Sequence, residues 1–344
     1  MKNLLGMLKR RAPGSASQEA WRLAAEGRYV DAVRVAERAD VSDGELAKAL
    51  VGWRNRAIER NATGQGRVGW PPQLPDPFPG VLDEIPEASL SELTPEMLGG
   101  ALLHHGSLIV RGMLEPVLVE ELRRMIDRSF AVREAHLDQG GPQTEWYAHA
   151  PIDDPELEVN RPWLGRTAMV AADSPVSLAH WIGMLRSIGV FDLITRHFGE
   201  TPVLSAKKTT FYRVLPGAGS QWHQDGAFLG ADIRVVNMWT ALSDCGREAP
   251  GLDIVPWRLP GIVQPGTHGA KFHWSVGEAK VDELAAERGR PVATPEFRPG
   301  DSIFFDQMCL HRTGVRPEMT KTRYAVECWM FAPSHYADKS NLLI

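Results

Sequence analysis

The spacing of apolar side chains divides the chain into a helical first part and a β-rich second part. Over residues 17–60, Trp21, Leu23, Ala24, Tyr29, Ala32 and Val35 recur at helical intervals, which predicts two short helices on either side of Gly27. Residues 69–80, GWPPQLPDPFPG, hold five prolines in twelve positions, which excludes a helix or a central strand and makes the segment a connector. Next, TPEMLGGALLHHG opens with Thr94 as N-cap and Pro95 in the first turn, so a helix is predicted, then a strand around Leu108 to Val110. A long amphipathic helix follows from Glu115, and VFDLITRHF forms another near residue 200. Between them, turn signals alternate with aromatic clusters such as TEWYAHAP and RPWLGR. From about residue 202 the chain becomes short strand-forming runs separated by Gly, Pro and Asp: KKTTFYRVL, IRVVNMWTAL, GLDIVP, DSIFFDQ and RYAVECWMF. The expected class is α+β with a mainly β core: a jelly-roll or cupin-like barrel, that is a double-stranded β-helix, over about 200–332, with flanking helices and an N-terminal helical extension.

This pattern suggests a helical extension over 1–65, a Pro-rich connector over 66–92 and one main domain over 93–344. The extension resembles a single tetratricopeptide unit; one copy cannot bury its own apolar face, so it is expected to pack on the main domain, with recruitment of a protein partner as the other reading. Hydrophobic residues at 43% and charged residues at 24% fit an ordinary globular protein. A formal charge of -5 argues against a nucleic-acid binder, which usually carries a basic surface, and favours chemistry on a small-molecule substrate. No stretch approaches the roughly 18 consecutive apolar residues of a membrane span. The N-terminal MKNLLGMLKRRAPGSA places its basic residues after a short apolar run, the wrong order for a secretory signal, so a cytoplasmic location is expected. Cys245, Cys309 and Cys328 have no C-x-x-C spacing and read as small buried hydrophobes rather than a disulfide framework.

Candidate chemistry starts at QWHQDG, residues 221–226, where His223 and Asp225 stand two apart. Such a pair is common, and REAHLDQGG contains another, His136 and Asp138. Periodicity separates the two: positions i and i+2 diverge on a helix but share a face on a strand. His136 belongs to a helical run and is expected to interact with that helix's C-terminus, whereas His223 and Asp225 follow a strand and can converge. Two histidines and one carboxylate hold iron(II) in oxygenases while leaving positions open for cosubstrate and oxygen. Among the later histidines, His268 lies in a Gly/Pro turn and His273 precedes a charged helix. His311 ends RPGDSIFFDQMCLHRTG, a turn, a strand and a loop able to return the chain to the metal, which makes it the preferred third ligand. Arg323 opens RYAVECWMF, on one face with Ala325, Glu327 and Trp329. Burying its guanidinium requires an anion, either an internal acid or a dicarboxylate gripped by the two-pronged donor geometry.

In these segments the chain resembles the phytanoyl-CoA dioxygenase-like branch of the iron(II)/2-oxoglutarate oxygenases. The likeness spans about 200–332 and extends more loosely from about 90. RVLPGAGSQWHQD, VNMWTALSD and RPGDSIFFDQMCLHRTG carry it, and GLDIVPWRLPGIVQPGTHG is an interrupted version of a segment that usually ends P-G-S-H. The resemblance implies His223, Asp225 and His311 as iron ligands, Arg323 as the clamp on the far carboxylate of 2-oxoglutarate with Thr313 beside it, Trp239 along the cosubstrate and Gln224 next to the metal. Lys207 and Lys208 are further candidates for the cosubstrate. It implies Fe(II), 2-oxoglutarate and O2 as the chemical requirements, and hydroxylation of a small organic molecule with release of succinate and CO2 as the reaction. Within that resemblance, the intact carboxylate at Asp225 favours hydroxylation, or another oxidative outcome without halogen, over halogenation. Asn237 and Glu327 share inward faces with Trp239 and Arg323, as substrate contacts or as hydrogen-bonding support behind them. Trp146, Tyr147 and Trp163 fall where lid and substrate loops are expected. The alternatives are a cupin-like metal enzyme without 2-oxoglutarate and a non-catalytic binding protein on the same barrel.

Overall fold

Three helices open the described chain, which in this computed structural model comprises residues 15–39, 44–58, 69–82, 84–336 and 338–344. Helices α1 (Ser15–Ala25) and α2 (Tyr29–Ala36) flank Gly27, whose φ of 71° gives the left-handed turn that reverses the chain. A third helix that the spacing had not revealed, α3 (Gly44–Ile58), completes a small core of Leu23, Ala32, Val33, Leu46, Leu50 and Trp53. It also docks this unit onto the rest of the molecule. The buried Arg54 donates to Glu37 at 2.7 Å and to the Leu343 carbonyl at 2.7 Å, and the Asn55 amide reaches the carbonyls of Lys339 and Asn341. The parts of the expected extension at 1–14, 40–43 and 59–65 lie outside the described residues.

The proline-rich segment is irregular through residue 82, but the stretch expected to be connector ends in a strand, β1 (Glu87–Ser89), paired in parallel with β2 (Ser107–Arg111). Between them lies α4 (Pro95–His105), where the Thr94 hydroxyl accepts a hydrogen bond from the Met97 amide at 3.1 Å and Gly106 closes the helix at φ 82°. There follow α5 (Pro116–Gln139), α6 (Pro155–Trp163), β3 (Ala168–Val170), α7 (Pro175–Ser187), α8 (Val190–Phe198), β4 (Val203–Ser205) and β5 (Thr210–Val214). Then come α9 (Gly226–Leu229), β6 (Val235–Ala241), β7 (Gly251–Ile254), α10 (Glu278–Arg288), β8 (Ser302–Phe305), β9 (His311–Gly314), β10 (Arg323–Phe331) and β11 (Asn341–Leu343).

Nine of the described strands form one sheet in the order β1-β2-β8-β6-β10-β4-β11, with β5 added on β10 and β3 on β5. At its centre, β10 pairs antiparallel with β4, β5 and β6. Strands β7 and β9 form a separate antiparallel ribbon. Period-2 alternation along β10 sorts its side chains as the sequence predicts. Val326, Cys328 and Met330 join Val236, Met238 and Phe304 against helical residues such as Leu98, Leu122, Trp181 and Phe198. Ala325 points the other way with Trp239, Ile303 and Phe305, meeting Leu252 and Ile254 of the ribbon. Each such apolar side chain removed from water contributes about 2 kcal/mol, so both faces of the sheet are committed and its register is fixed.

The architecture is a mixed α/β one, a large sheet with helices on one face and a short ribbon on the other. One strand boundary in the β-rich region differs from the sequence reading. KKTTFYRVL becomes a strand only at Thr210, because Lys207 turns aside into an ion-pair cluster with Asp338 at 2.6 Å and Glu156 at 2.7 Å; this also removes it as a cosubstrate contact. Helix α10, the charged helix expected after His273, lies within the β-rich region and joins β7 to β8. All three cysteines are buried and free.

Candidate metal centre

His223 and His311 are brought together by the backbone. The two residues form an isolated antiparallel bridge in which each amide donates to the other's carbonyl at 3.0 Å. Directly opposed residues of such a pair project to the same side, and the two imidazole rings stand with centroids 4.4 Å apart. Each Nδ1 faces a main-chain carbonyl, that of Gln221 at 2.8 Å for His223 and that of Cys309 at 3.1 Å for His311. A carbonyl only accepts, so both Nδ1 atoms carry the proton and both Nε2 lone pairs are left for a ligand. Trp274 packs on His223 at 5.7 Å and Phe305 on His311 at 4.6 Å, restricting rotation of both rings.

Asp225 reaches the site by a different route from the one expected. The chain does not continue as a strand: Asp225 has helical angles, φ -62° and ψ -30°, and opens the single turn α9. The turn delivers the carboxylate beside the rings, and it needs Gly226. A Cβ there would lie 2.5 Å from Ile262 Cδ1 and 3.0 Å from the Gln307 carbonyl oxygen, to which the Gly226 amide donates at 2.9 Å. Asp225 is 2% exposed, and its Oδ1, 3.7 Å from His223 Nε2, has no hydrogen-bond partner. One ligand atom from each of His223, Asp225 and His311 fits within 4.8 Å of the others.

Electrostatically the cluster is under-neutralised. Burial pushes the Asp225 carboxyl up to about 7, with the nearby Glu327 adding to the rise against His223, which opposes it. Burial and the neighbouring His311 push His223 down to about 4, and burial lowers His311 as well. A divalent cation would favour the carboxylate and the neutral imidazoles together. Two nitrogen donors and one oxygen donor, each with its lone pair free, fit the two-histidine, one-carboxylate set that suits iron(II).

Beside this cluster opens a cavity of about 570 Å³, with His223, His311, Thr313, Trp239, Glu327 and Arg323 on its walls. Arg323 is 1% exposed, yet among the described residues it has no carboxylate within ion-pair distance. It reaches only the Gly251 carbonyl at 3.3 Å and the Thr313 hydroxyl at 3.5 Å, its Nε is unpartnered, and it lies 5.4 Å from the ring centres of Tyr212 and Trp239. Among the described residues no acid contacts it, and Glu327 acts on it only at longer range.

Other sequence-derived candidates fall differently. Gln224 turns its amide away from the cluster to the carbonyls of Met308 at 2.7 Å and Gly261 at 3.2 Å, and accepts from the Val263 amide at 2.7 Å, so it pins the loops behind the site. Asn237 is buried and donates to Glu327 at 2.8 Å, which gives it the supporting position. Glu327 does face the cavity and also accepts from the Tyr212 hydroxyl at 2.6 Å. Trp163 stands at the cavity mouth, whereas Trp146 is stacked under Arg128 and Tyr147 is buried in the helical core. His136 bonds the Gly141 carbonyl at its helix terminus, as expected, and His268 and His273 are exposed. Tyr212, Phe272 and Trp274 were missed; the only sequence signal was the placement of Tyr212 on a strand flanking the site.

Two imidazoles and a carboxylate with free lone pairs, next to an unpaired buried guanidinium, define a candidate mononuclear metal centre with an anion-binding pocket. The phytanoyl-CoA dioxygenase (PhyH) family model matches residues 102–316, and the chain belongs to that family of iron(II)/2-oxoglutarate-dependent oxygenases. Among solved structures, EctD from S. alaskensis with bound Fe is 16% identical, with a TM-score of 0.48 over 67% of this chain and 74% of its own. The same protein with 2-oxoglutarate and 5-hydroxyectoine is 16% identical, with a TM-score of 0.39 over 67% and 73%. AviO1 from Streptomyces viridochromogenes Tue57 is 17% identical, with a TM-score of 0.42 over 68% and 93%. No curated protein matches the chain significantly. Among the described residues no helix is long and apolar enough to cross a membrane.

Proposed function

We propose that the protein is an iron(II)- and 2-oxoglutarate-dependent hydroxylase of a small organic substrate, releasing succinate and CO2. His223 and His311 through Nε2, and Asp225 through its carboxylate, hold the metal. Arg323 and Thr313 receive the far carboxylate of the cosubstrate, with Trp239 along its side. When bound, iron(II) and 2-oxoglutarate supply the oxidising power for attack on a C–H bond. The chain's own work is to fix three ligands, neutralise the dicarboxylate and exclude water with the aromatic wall. In this reading the sheet and the β7–β9 ribbon are the two halves of a double-stranded β-helix closed around the site.

The observation that carries the reading is Arg323, a buried cation lining the cavity beside the three candidate ligands with no acid within ion-pair distance among the described residues. It favours a dicarboxylate cosubstrate over a metal enzyme that needs none. Anaerobic addition of iron(II) and 2-oxoglutarate should produce a visible charge-transfer band, and succinate should form when a substrate panel is supplied with oxygen. A well-folded, iron-loaded protein that gives no band on adding 2-oxoglutarate would refute the proposal.

A further inference from the structure

Glu327 sits on the inward face of β10 between Arg323 and Trp329, and its carboxylate lines the cavity. Both of its oxygens are held by neutral donors, Tyr212 at 2.6 Å and Asn237 at 2.8 Å, so its orientation is fixed while no cation touches it. Among the described residues it makes no ion pair within 4.0 Å. The nearest basic groups, Lys208 and Arg323, act on it only at longer range. Lys208 Nζ stands over the rings of Phe228 and Trp329 at 4.6 and 5.5 Å, and Arg323 is turned to Gly251 and Thr313. If the proposed function holds, the charges of a divalent metal and of Arg323 are matched by Asp225 and the dicarboxylate. Glu327 is then an acid on the cavity wall that no cation contacts, with Lys208 held over aromatic rings off that wall.

The mouth of the same cavity is aromatic and open. Trp163 is 62% exposed and Phe272 37% exposed, large values for such side chains. Trp163 at the end of α6 meets Phe272 edge-on at 5.5 Å, and Phe272 stacks on Trp274 at 5.0 Å, so two separate segments build one wall leading to His223. Aromatic faces with an unpaired carboxylate beyond them attract a cation twice, through the ring quadrupoles and through direct charge. The one lysine at this mouth, Lys271, is exposed and its charge is screened by water.

We propose that the substrate carries a cationic nitrogen that docks on Glu327, with its hydrocarbon part against Trp163, Phe272 and Trp274. This rests on the proposed function, which assigns Asp225 and Arg323 to metal and cosubstrate. Glu327 is therefore a specificity-determining residue that selects an amine-bearing substrate from neutral analogues of the same shape.

The test uses cyclohexylmethylammonium and its neutral analogue cyclohexylmethanol as probes, titrated into the full chain with tryptophan fluorescence as readout, with and without iron(II) and 2-oxoglutarate under anaerobic conditions. The ammonium probe should bind at least about tenfold more tightly than the alcohol. Glu327→Gln, which keeps the shape and both hydrogen-bonding neighbours, should abolish that preference, and Phe272→Ala at the exposed mouth should weaken both probes. Equal affinity for the two probes, no binding of either, or a preference that survives Glu327→Gln overturns the inference. The charge-transfer band read on the same samples separates the two proposals. A band without ammonium preference defeats this inference alone, and ammonium preference without a band defeats the proposed function.

Discussion

His223 and His311 lie 88 positions apart in the chain (311 minus 223) and exchange both main-chain hydrogen bonds, at 3.0 Å each. The spacing of their imidazoles is therefore set by backbone pairing, and side-chain substitution should empty the site without undoing the pairing. His223→Ala and His311→Ala are each expected to lower bound iron(II) from about one equivalent to near none, with little loss of helix and strand signal. Metal analysis and circular dichroism on the same samples check this; stoichiometric iron in either variant contradicts the ligand assignment.

Metal binding should depend on pH with a break near neutrality. The Asp225 carboxyl, pushed up to about 7 by burial, must lose its proton to bind a cation, so apparent affinity should fall about tenfold per pH unit below that value and level off above it. His223, pushed down to about 4, is already neutral across this range and adds no second proton. The metal-free fold responds in the opposite direction. A carboxyl raised above its ordinary 3.8 contributes stability at low pH that is lost as pH climbs towards 7. Cobalt(II) titrations across this interval measure the slope, and a flat profile contradicts the ligand role of Asp225.

Arg323→Lys keeps a positive charge but loses the fork that can hold a carboxylate at two points. Affinity for 2-oxoglutarate should drop about 10- to 100-fold, and further in Arg323→Ala, while iron binding persists. Equilibrium binding followed by the charge-transfer band gives the comparison; equal affinity in Arg323→Lys would remove the two-point contact.

Gly226→Ala introduces a methyl group 2.5 Å from Ile262 Cδ1, next to the residue that supplies the carboxylate. Overpacking of this kind costs about 1 to 3 kcal/mol, and here it should also weaken the metal site by moving Asp225. Thermal unfolding and iron titration should both shift; a change in stability alone would mean that the turn tolerates the strain.

Arg54 ties α3 to Glu37 and to the last strand through Leu343. Arg54→Ala leaves the Glu37 carboxylate without this partner and should cost about 3 kcal/mol, with iron affinity within about twofold of the parent. An unaltered melting temperature would show that the N-terminal helices contribute little to holding the C-terminal strand.

The three candidate metal-binding residues and the arginine were legible because they stand in local contexts with strong chemistry: a histidine and an aspartate after a strand, a histidine after a second strand and a loop, an arginine at the head of an apolar third. Asp225 nevertheless meets His223 by a route other than strand pairing. Strand alternation predicted its convergence with His223, whereas a helical turn made possible by Gly226 achieves it. Gln224 shows the converse, since adjacency in sequence to two ligands says nothing about which side of the turn its amide occupies.

By itself the sequence determined the alternation of β10, the helix start at Thr94, the turn at Gly27 and the kinds of donor available to a metal, because these depend on neighbours a few residues apart. Only the tertiary structure decided that Arg323 meets no acid within ion-pair distance among the described residues, that Lys207 is consumed by Asp338 and Glu156, and that Glu327 is held by two neutral donors at the cavity wall. Those facts concern which charges meet across the fold, and the pairing of a charge is set by every segment that packs around it.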